Sequence, residues 1–174
     1  MLQYSRQVFR LLAAMILFSV MALAPGCSKE DPYPVIPEIE FTGYANLYDT
    51  GMYATKGVLT IGFRDGDGDI GLATNDTLYP YNKSGLYYYN YVIAYWELQM
   101  GTWVPVDLNP PYSARIPVLT PFGMEKSIRG IIVDTLNLNP VPVFDTIKFE
   151  LFIYDRALHK SNVIFTPPIT VRKQ

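Results

Sequence analysis

Past residue 37 the hydrophobic positions come in short runs cut by Gly, Pro, Asn and Asp, and the better runs repeat every two residues. Ile39 and Phe41 alternate with polar neighbours, and the apolar run 58–63 stops at an Asp-Gly loop. The clearest pattern covers 144–154, where Ile147, Phe149, Leu151 and Ile153 share one face and Lys148 and Glu150 take the other. A long tyrosine-rich run, 86–99, is predicted to turn at Gly101 into a hairpin partner over 102–108. Weaker strands are expected at 116–119 and 128–136. A turn over 155–162 leads to a last strand, 163–171, which Pro167-Pro168 place at a sheet edge.

No window beyond residue 27 carries a 3.6-residue apolar period. Seven or eight strands without repeats over 38–174 predict an all-β fold, an immunoglobulin-like antiparallel β-sandwich. The cysteine pair common in such domains is missing, since the chain has a single Cys.

The N-terminus follows a different pattern. Arg6 and Arg10 precede an uncharged apolar run of 14 residues, 11–24. A bilayer span takes about 20 residues, so this length predicts the core of an export signal rather than a membrane helix. The run ends in Leu23-Ala24-Pro25-Gly26-Cys27, which resembles a bacterial lipobox. The usual leucine three places before the cysteine is here Ala24, with Leu23 one earlier. The resemblance implies a lipoprotein signal peptide over 1–26, lipidation at Cys27 and an acyl-chain anchor in the membrane. Several acyl chains hold stably where one binds only marginally. Residues 27–37 then form a tether whose Pro32, Pro34 and Pro37 favour extended geometry and a reach of roughly 30 Å.

Charge and composition narrow the function. Removing 1–26 takes away Arg6 and Arg10 and leaves a mildly acidic chain with all 16 Asp and Glu. No basic run exists, which argues against a nucleic-acid partner. One His and one Cys exclude zinc clusters and most histidine-based catalysis. No nucleophile elbow, His-Glu-X-X-His or phosphate loop occurs, and a carboxylate pair would need a cleft that a small sandwich does not offer. The chain is expected not to be an enzyme.

The best chemical signal is Asp65-Gly66-Asp67-Gly68-Asp69, three carboxylates at alternate positions. Crowded carboxylates repel one another unless water or a cation screens them, and Ca2+ takes six to eight oxygens. Asp76 falls at the twelfth place of an EF-hand-like count, but the sixth place is β-branched Ile70 instead of Gly and the flanks read as strands. The expectation is a calcium site in a sandwich loop, with a solvated Asp-Gly turn as the alternative. If 58–63 is the second strand and 144–154 the sixth, their following loops meet at one end of the sandwich. Asp155, Asn162 and Glu38 could then add oxygens, or Asp155 and Asn162 could cap their own turn.

A second candidate is aromatic. On strand alternation, Tyr88, Val92, Ala94, Trp96 and Leu98 face the core, while Tyr87, Tyr89, Tyr91 and Tyr95 share the outer face with Glu97 and Gln99. An exposed tyrosine row could stack on sugar rings or bind a protein; the alternative is ordinary cross-strand packing. Asp-Thr-aliphatic triplets at Asp76, Asp134 and Asp145 are similar to an O-glycosylation motif of some bacteria, and His159 reads as a turn residue.

Two phrases carry a wider resemblance: the run from Phe63 through Asp65-Gly66-Asp67-Gly68-Asp69-Ile70-Gly71 to Leu72, and Asp155-Arg156-Ala157 with Lys160-Ser161-Asn162. With the signal and Cys27 they are similar to small outer-membrane lipoproteins of Bacteroidota-type bacteria with immunoglobulin-like or cadherin-like domains. Ser28-Lys29-Glu30-Asp31 looks like the acidic signal that sends some of them to the cell surface, the alternative being the periplasmic face. The resemblance speaks to class and location and hardly to activity; the favoured expectation is a lipid-anchored binding or accessory protein with a protein or glycan partner at the cell surface. Its rivals are a glycan-binding lipoprotein using the tyrosine row and a structural subunit of an envelope complex.

Overall fold

The computed structural model describes residues 33–121, 123–124, 126–138 and 143–171. The expected signal 1–26, Cys27 and the tether up to Pro32 lie outside them. Among the described residues all regular structure is β, and no helix is long and apolar enough to cross a membrane.

Eight strands follow in chain order: β1 (Glu38–Tyr48), β2 (Ala54–Asp65), β3 (Tyr91–Gln99), β4 (Thr102–Val106), β5 (Ile128–Asn137), β6 (Thr146–Ile153), β7 (Ile164–Phe165) and β8 (Ile169–Thr170). They form two antiparallel sheets. One has the order β1-β2-β5; the other has the order β4-β3-β6-β7, with β8 also paired to β6. Ile39, Leu59, Ile61 and Leu136 from the first sheet join Ile93, Tyr95 and the inner residues of β6 in one core. The architecture is that of a β-sandwich.

β6 forms as its alternation demands. Ile147, Phe149, Leu151 and Ile153 are fully buried, while Lys148, Glu150 and Phe152 lie half-buried on the outer face. The β3–β4 hairpin turns on two residues, Met100 and Gly101, both with positive φ (49° and 85°), which suits the right-handed strand twist. The expected last strand is divided. Pro167 and Pro168 have no N–H to donate, so hydrogen bonding to β6 stops after Thr166, whose N–H donates to Phe149 O (2.9 Å), and pairing resumes at Ile169.

Three expectations are corrected. The strand expected over 86–99 begins only at Tyr91, and 116–119 forms no strand; it contributes a single bridge, Leu72 to Pro117. The long excursion between β2 and β3 is held instead by Arg115, whose guanidinium donates to the carbonyls of Ala73, Asp76, Tyr81 and Tyr88 at 2.9–3.3 Å.

The third correction is the phase of β3. Tyr91 and Tyr95, expected outside, are each only 2% exposed in the core, while Val92, Ala94, Trp96 and Leu98 point outward. Glu97 misled the reading, because a charged residue marks an outer face only if it is solvated. Here it is buried and accepts hydrogen bonds from Tyr95 Oη (2.9 Å), Val143 N (2.7 Å) and Gln99 Nε2 (3.3 Å). Tyr87 and Tyr89 are half-buried, with Tyr87 edge-on to Tyr154 and Tyr89 to Tyr88, each at 4.8 Å. Tyr87, Tyr89, Tyr91 and Tyr95 therefore form no exposed row, and the expected platform is overturned. Lys148, on the outer face, lies 4.6–5.1 Å from the ring centres of Trp96, Trp103 and Phe165.

Candidate metal centre

β2 ends at Asp65, and the turn that follows is stitched to distant segments. Gly66 N donates to Pro34 O (2.8 Å), and Ser127 Oγ donates to Gly66 O (2.8 Å). Lys126 N donates to Asp67 O (3.1 Å), Arg156 N to Asp69 O (3.3 Å) and Leu119 N to Ile70 O (3.4 Å). Ile70, at the place where an EF-hand needs Gly, is a buried core residue that pins the loop.

Two of the glycines are there because nothing larger fits. A Cβ on Gly66 would collide with the carbonyl oxygen of Tyr33, and one on Gly68, whose φ is +74°, with that of Lys126. The alternation of Asp with Gly thus serves both requirements at once: carboxylates where oxygens converge, and bare backbone where other segments press in.

Asp65, Asp67 and Asp69 each offer a carboxylate oxygen, and these oxygens lie within 4.8 Å of one another. Asp65 has 0% exposure, and neither of its oxygens has a hydrogen-bond partner. Asp67 Oδ1 and Asp69 Oδ1 are likewise buried and unpartnered. Burial first, then the charges of Asp67 and Asp69, push the Asp65 carboxyl up to about 7; the Ile70 amide, near the carboxyl but outside hydrogen-bond geometry, opposes the shift in part. Asp69 is pushed up to about 6 by burial, then by Asp155 and Asp67, against the amides of Ala157 and Arg156. A buried carboxylate with no well-formed hydrogen bond is costly, and such sites in proteins hold a proton or a cation.

The turn after β6 does arrive at the same end. Besides the Arg156 contact, Ala157 N donates to Asp69 Oδ2 at 3.0 Å. The other expected ligands are engaged elsewhere. Asp155 is buried, but its Oδ1 accepts from His159 N (2.8 Å) and its Oδ2 contacts His159 Nδ1 (2.8 Å), so it closes its own turn. That contact also raises the His159 pKa. Asp76 accepts from Ala73 N at 2.7 Å and pairs with Arg156, which holds its carboxyl below the usual range. Glu38 pairs with Arg64 at 2.5 Å on the surface. Asn162 bridges to Ile39, accepting from its N–H and donating to its carbonyl, both at 2.8 Å. Of the seven proposed metal ligands, the three at alternate positions converge, Asp155 lies beside them, and Glu38, Asp76 and Asn162 do not join the cluster.

Sequence reasoning missed one oxygen here. Thr120 Oγ1 is buried, lacks a partner and lies over Gly68, 3.2 Å from where a Cβ would be built. A lone Thr between two prolines carries no pattern that marks it. The donor set of carboxylates and a hydroxyl is all hard oxygen, which suits Ca2+ or Mg2+ and not a thiophilic metal.

Fold and site together define an all-β protein of two antiparallel sheets with a buried acidic loop at one end. No protein-family model, curated protein or solved structure matches this chain.

Proposed function

We propose that this chain is a lipid-anchored, non-catalytic binding or accessory module of the bacterial outer membrane, completed by a structural Ca2+ bound at Asp65, Asp67 and Asp69. The observation that carries the calcium reading is Asp65: a fully buried carboxylate with two unpartnered oxygens facing two more acidic side chains. A solvated turn would leave those oxygens to water. The two-sheet architecture is compatible with an immunoglobulin-like or cadherin-like module. Display at the cell surface rests on Cys27 and the acidic residues after it.

Two measurements test the reading. Ca2+ bound only by the folded state adds RT ln(1 + [Ca2+]/Kd) to stability; with a Kd of 10⁻⁴–10⁻³ M, millimolar Ca2+ adds roughly 0.4–1.4 kcal/mol, a few degrees in Tm. Thermal unfolding of the full chain in non-ionic detergent, with Ca2+ or with chelator, reads this directly. A Tm that does not move up to about 10 mM Ca2+, ten times the weakest of those Kd values, removes the calcium site. For the anchor, Cys27→Ser is expected to abolish acyl labelling and release the protein from membranes. Unchanged membrane retention refutes lipidation.

A further inference from the structure

Seven buried side-chain oxygens among the described residues have no hydrogen-bond partner; four belong to the carboxylate cluster, both of Asp65 with Oδ1 of Asp67 and Oδ1 of Asp69, and a fifth, Oγ1 of Thr120, lies over Gly68, the residue between Asp67 and Asp69. The other two, on Asn82 and Tyr91, belong to the tyrosine-rich segment and to β3. Native interiors keep very few such atoms, so a concentration of this kind calls for a shared partner.

Several neighbouring oxygens already accept hydrogen bonds. The carbonyls of Gly66, Asp67, Asp69 and Ile70 accept from Ser127, Lys126, Arg156 and Leu119. Asp69 Oδ2 accepts from Ala157, and both Asp155 oxygens contact His159. A Ca2+ ion bound by three carboxylates already carries a net negative charge. A neutral oxygen completes such a shell without adding repulsion. Thr120 Oγ1 is a neutral side-chain oxygen at this loop that accepts and donates no hydrogen bond.

We infer that the Thr120 hydroxyl is the fourth side-chain ligand of the cation held by Asp65, Asp67 and Asp69. This assignment rests on the calcium reading above and adds a ligand from a different segment, the connection between β4 and β5. A cavity of about 200 Å³ beside the site, lined in part by Asp67, Asp69, Thr120, Met124 and Arg156, leaves room for water to fill the remaining positions. The ion would then join the loop after β2 to the connection that precedes β5.

The test is a calorimetric Ca2+ titration of the full chain, stripped of metal in non-ionic detergent, for wild type, Thr120→Val and Thr120→Ser. Valine keeps the shape and removes the oxygen; serine keeps the oxygen. Thr120→Val is expected to weaken Ca2+ binding by about tenfold or more, with Thr120→Ser close to wild type. In chelator, Thr120→Val is expected to melt no lower than wild type, because the hydroxyl it loses has no protein partner. Wild-type affinity in Thr120→Val overturns the assignment and leaves the three-carboxylate site standing. A lower Tm for Thr120→Val in chelator also overturns it, since the hydroxyl would then bond to protein in the ion-free state. If the wild type itself binds no Ca2+, the calcium reading fails and the ligand fails with it.

Discussion

Asp65→Asn is expected to melt higher than the wild type in chelator at pH 8, and to lose the rise that Ca2+ gives the wild type. Both effects come from one buried carboxylate. Its folded pKa stands near 7 against 3.8 for the free group, because burial and two neighbouring carboxylates disfavour the charge. A raised carboxyl pKa means that the ion-free folded state holds a proton the unfolded state has released. Its contribution to stability is therefore largest below about pH 4 and is lost as pH rises through 7. At pH 8 the unpartnered charge costs roughly 1–4 kcal/mol, the upper end being the whole shift and the lower end allowing for relaxation and water entry.

Asparagine is the same size and carries no charge to bury. The gap between variant and wild type in chelator should widen from pH 5 to pH 8. Ca2+ binding needs the carboxylates ionised, so the wild-type gain from Ca2+ should grow over the same interval and be absent in the variant. Thermal melts at four or five pH values, with and without Ca2+, measure both trends. An Asn variant that melts several degrees below wild type in chelator at pH 8 would mean that the carboxylate makes an essential interaction within the protein.

Phe149→Ala is expected to produce the largest loss of stability among single core changes. Phe149 is fully buried at the middle of β6, with ring centres of Tyr44, Tyr95 and Tyr112 at 5.8–6.1 Å. Tyr44 belongs to β1 in the opposite sheet, so this ring cluster spans the two layers. Truncation leaves a cavity among aromatic side chains anchored in both sheets, which limits collapse. The cost is about 3–5 kcal/mol, or roughly 10 °C in Tm. Phe149→Leu refills most of the volume and should lose much less. Denaturant unfolding of the three proteins checks the order. A loss under about 1 kcal/mol for Phe149→Ala, far below the usual range, would mean that the sheets do not share this core.

The acidic loop was legible because all of its carboxylates lie within five residues, so a local reading sees their crowding. What surrounds the loop was not. Asp76 looked available and is claimed by Arg156, 80 positions away; Asn162 looked available and is claimed by Ile39, 123 positions away. Arg115 and Thr120 gave no signal at all, since each matters only through the segments that fold around it.

The strands divide in the same way. Alternation alone determined β6, where every inward residue is aliphatic or aromatic and the charged residues are at least partly exposed. The two prolines placed the last strand at a sheet edge, because a missing N–H is a local property, but 163–171 read as one strand and the fold divides it in two. The phase of β3 was decided only by tertiary structure. Burying Glu97 is tolerable once Tyr95, Gln99 and Val143 supply donors, and Val143 comes from a segment 46 residues on. A charged side chain is polar in the sequence whatever its surroundings, and whether it faces water depends on partners that only the folded chain brings to it.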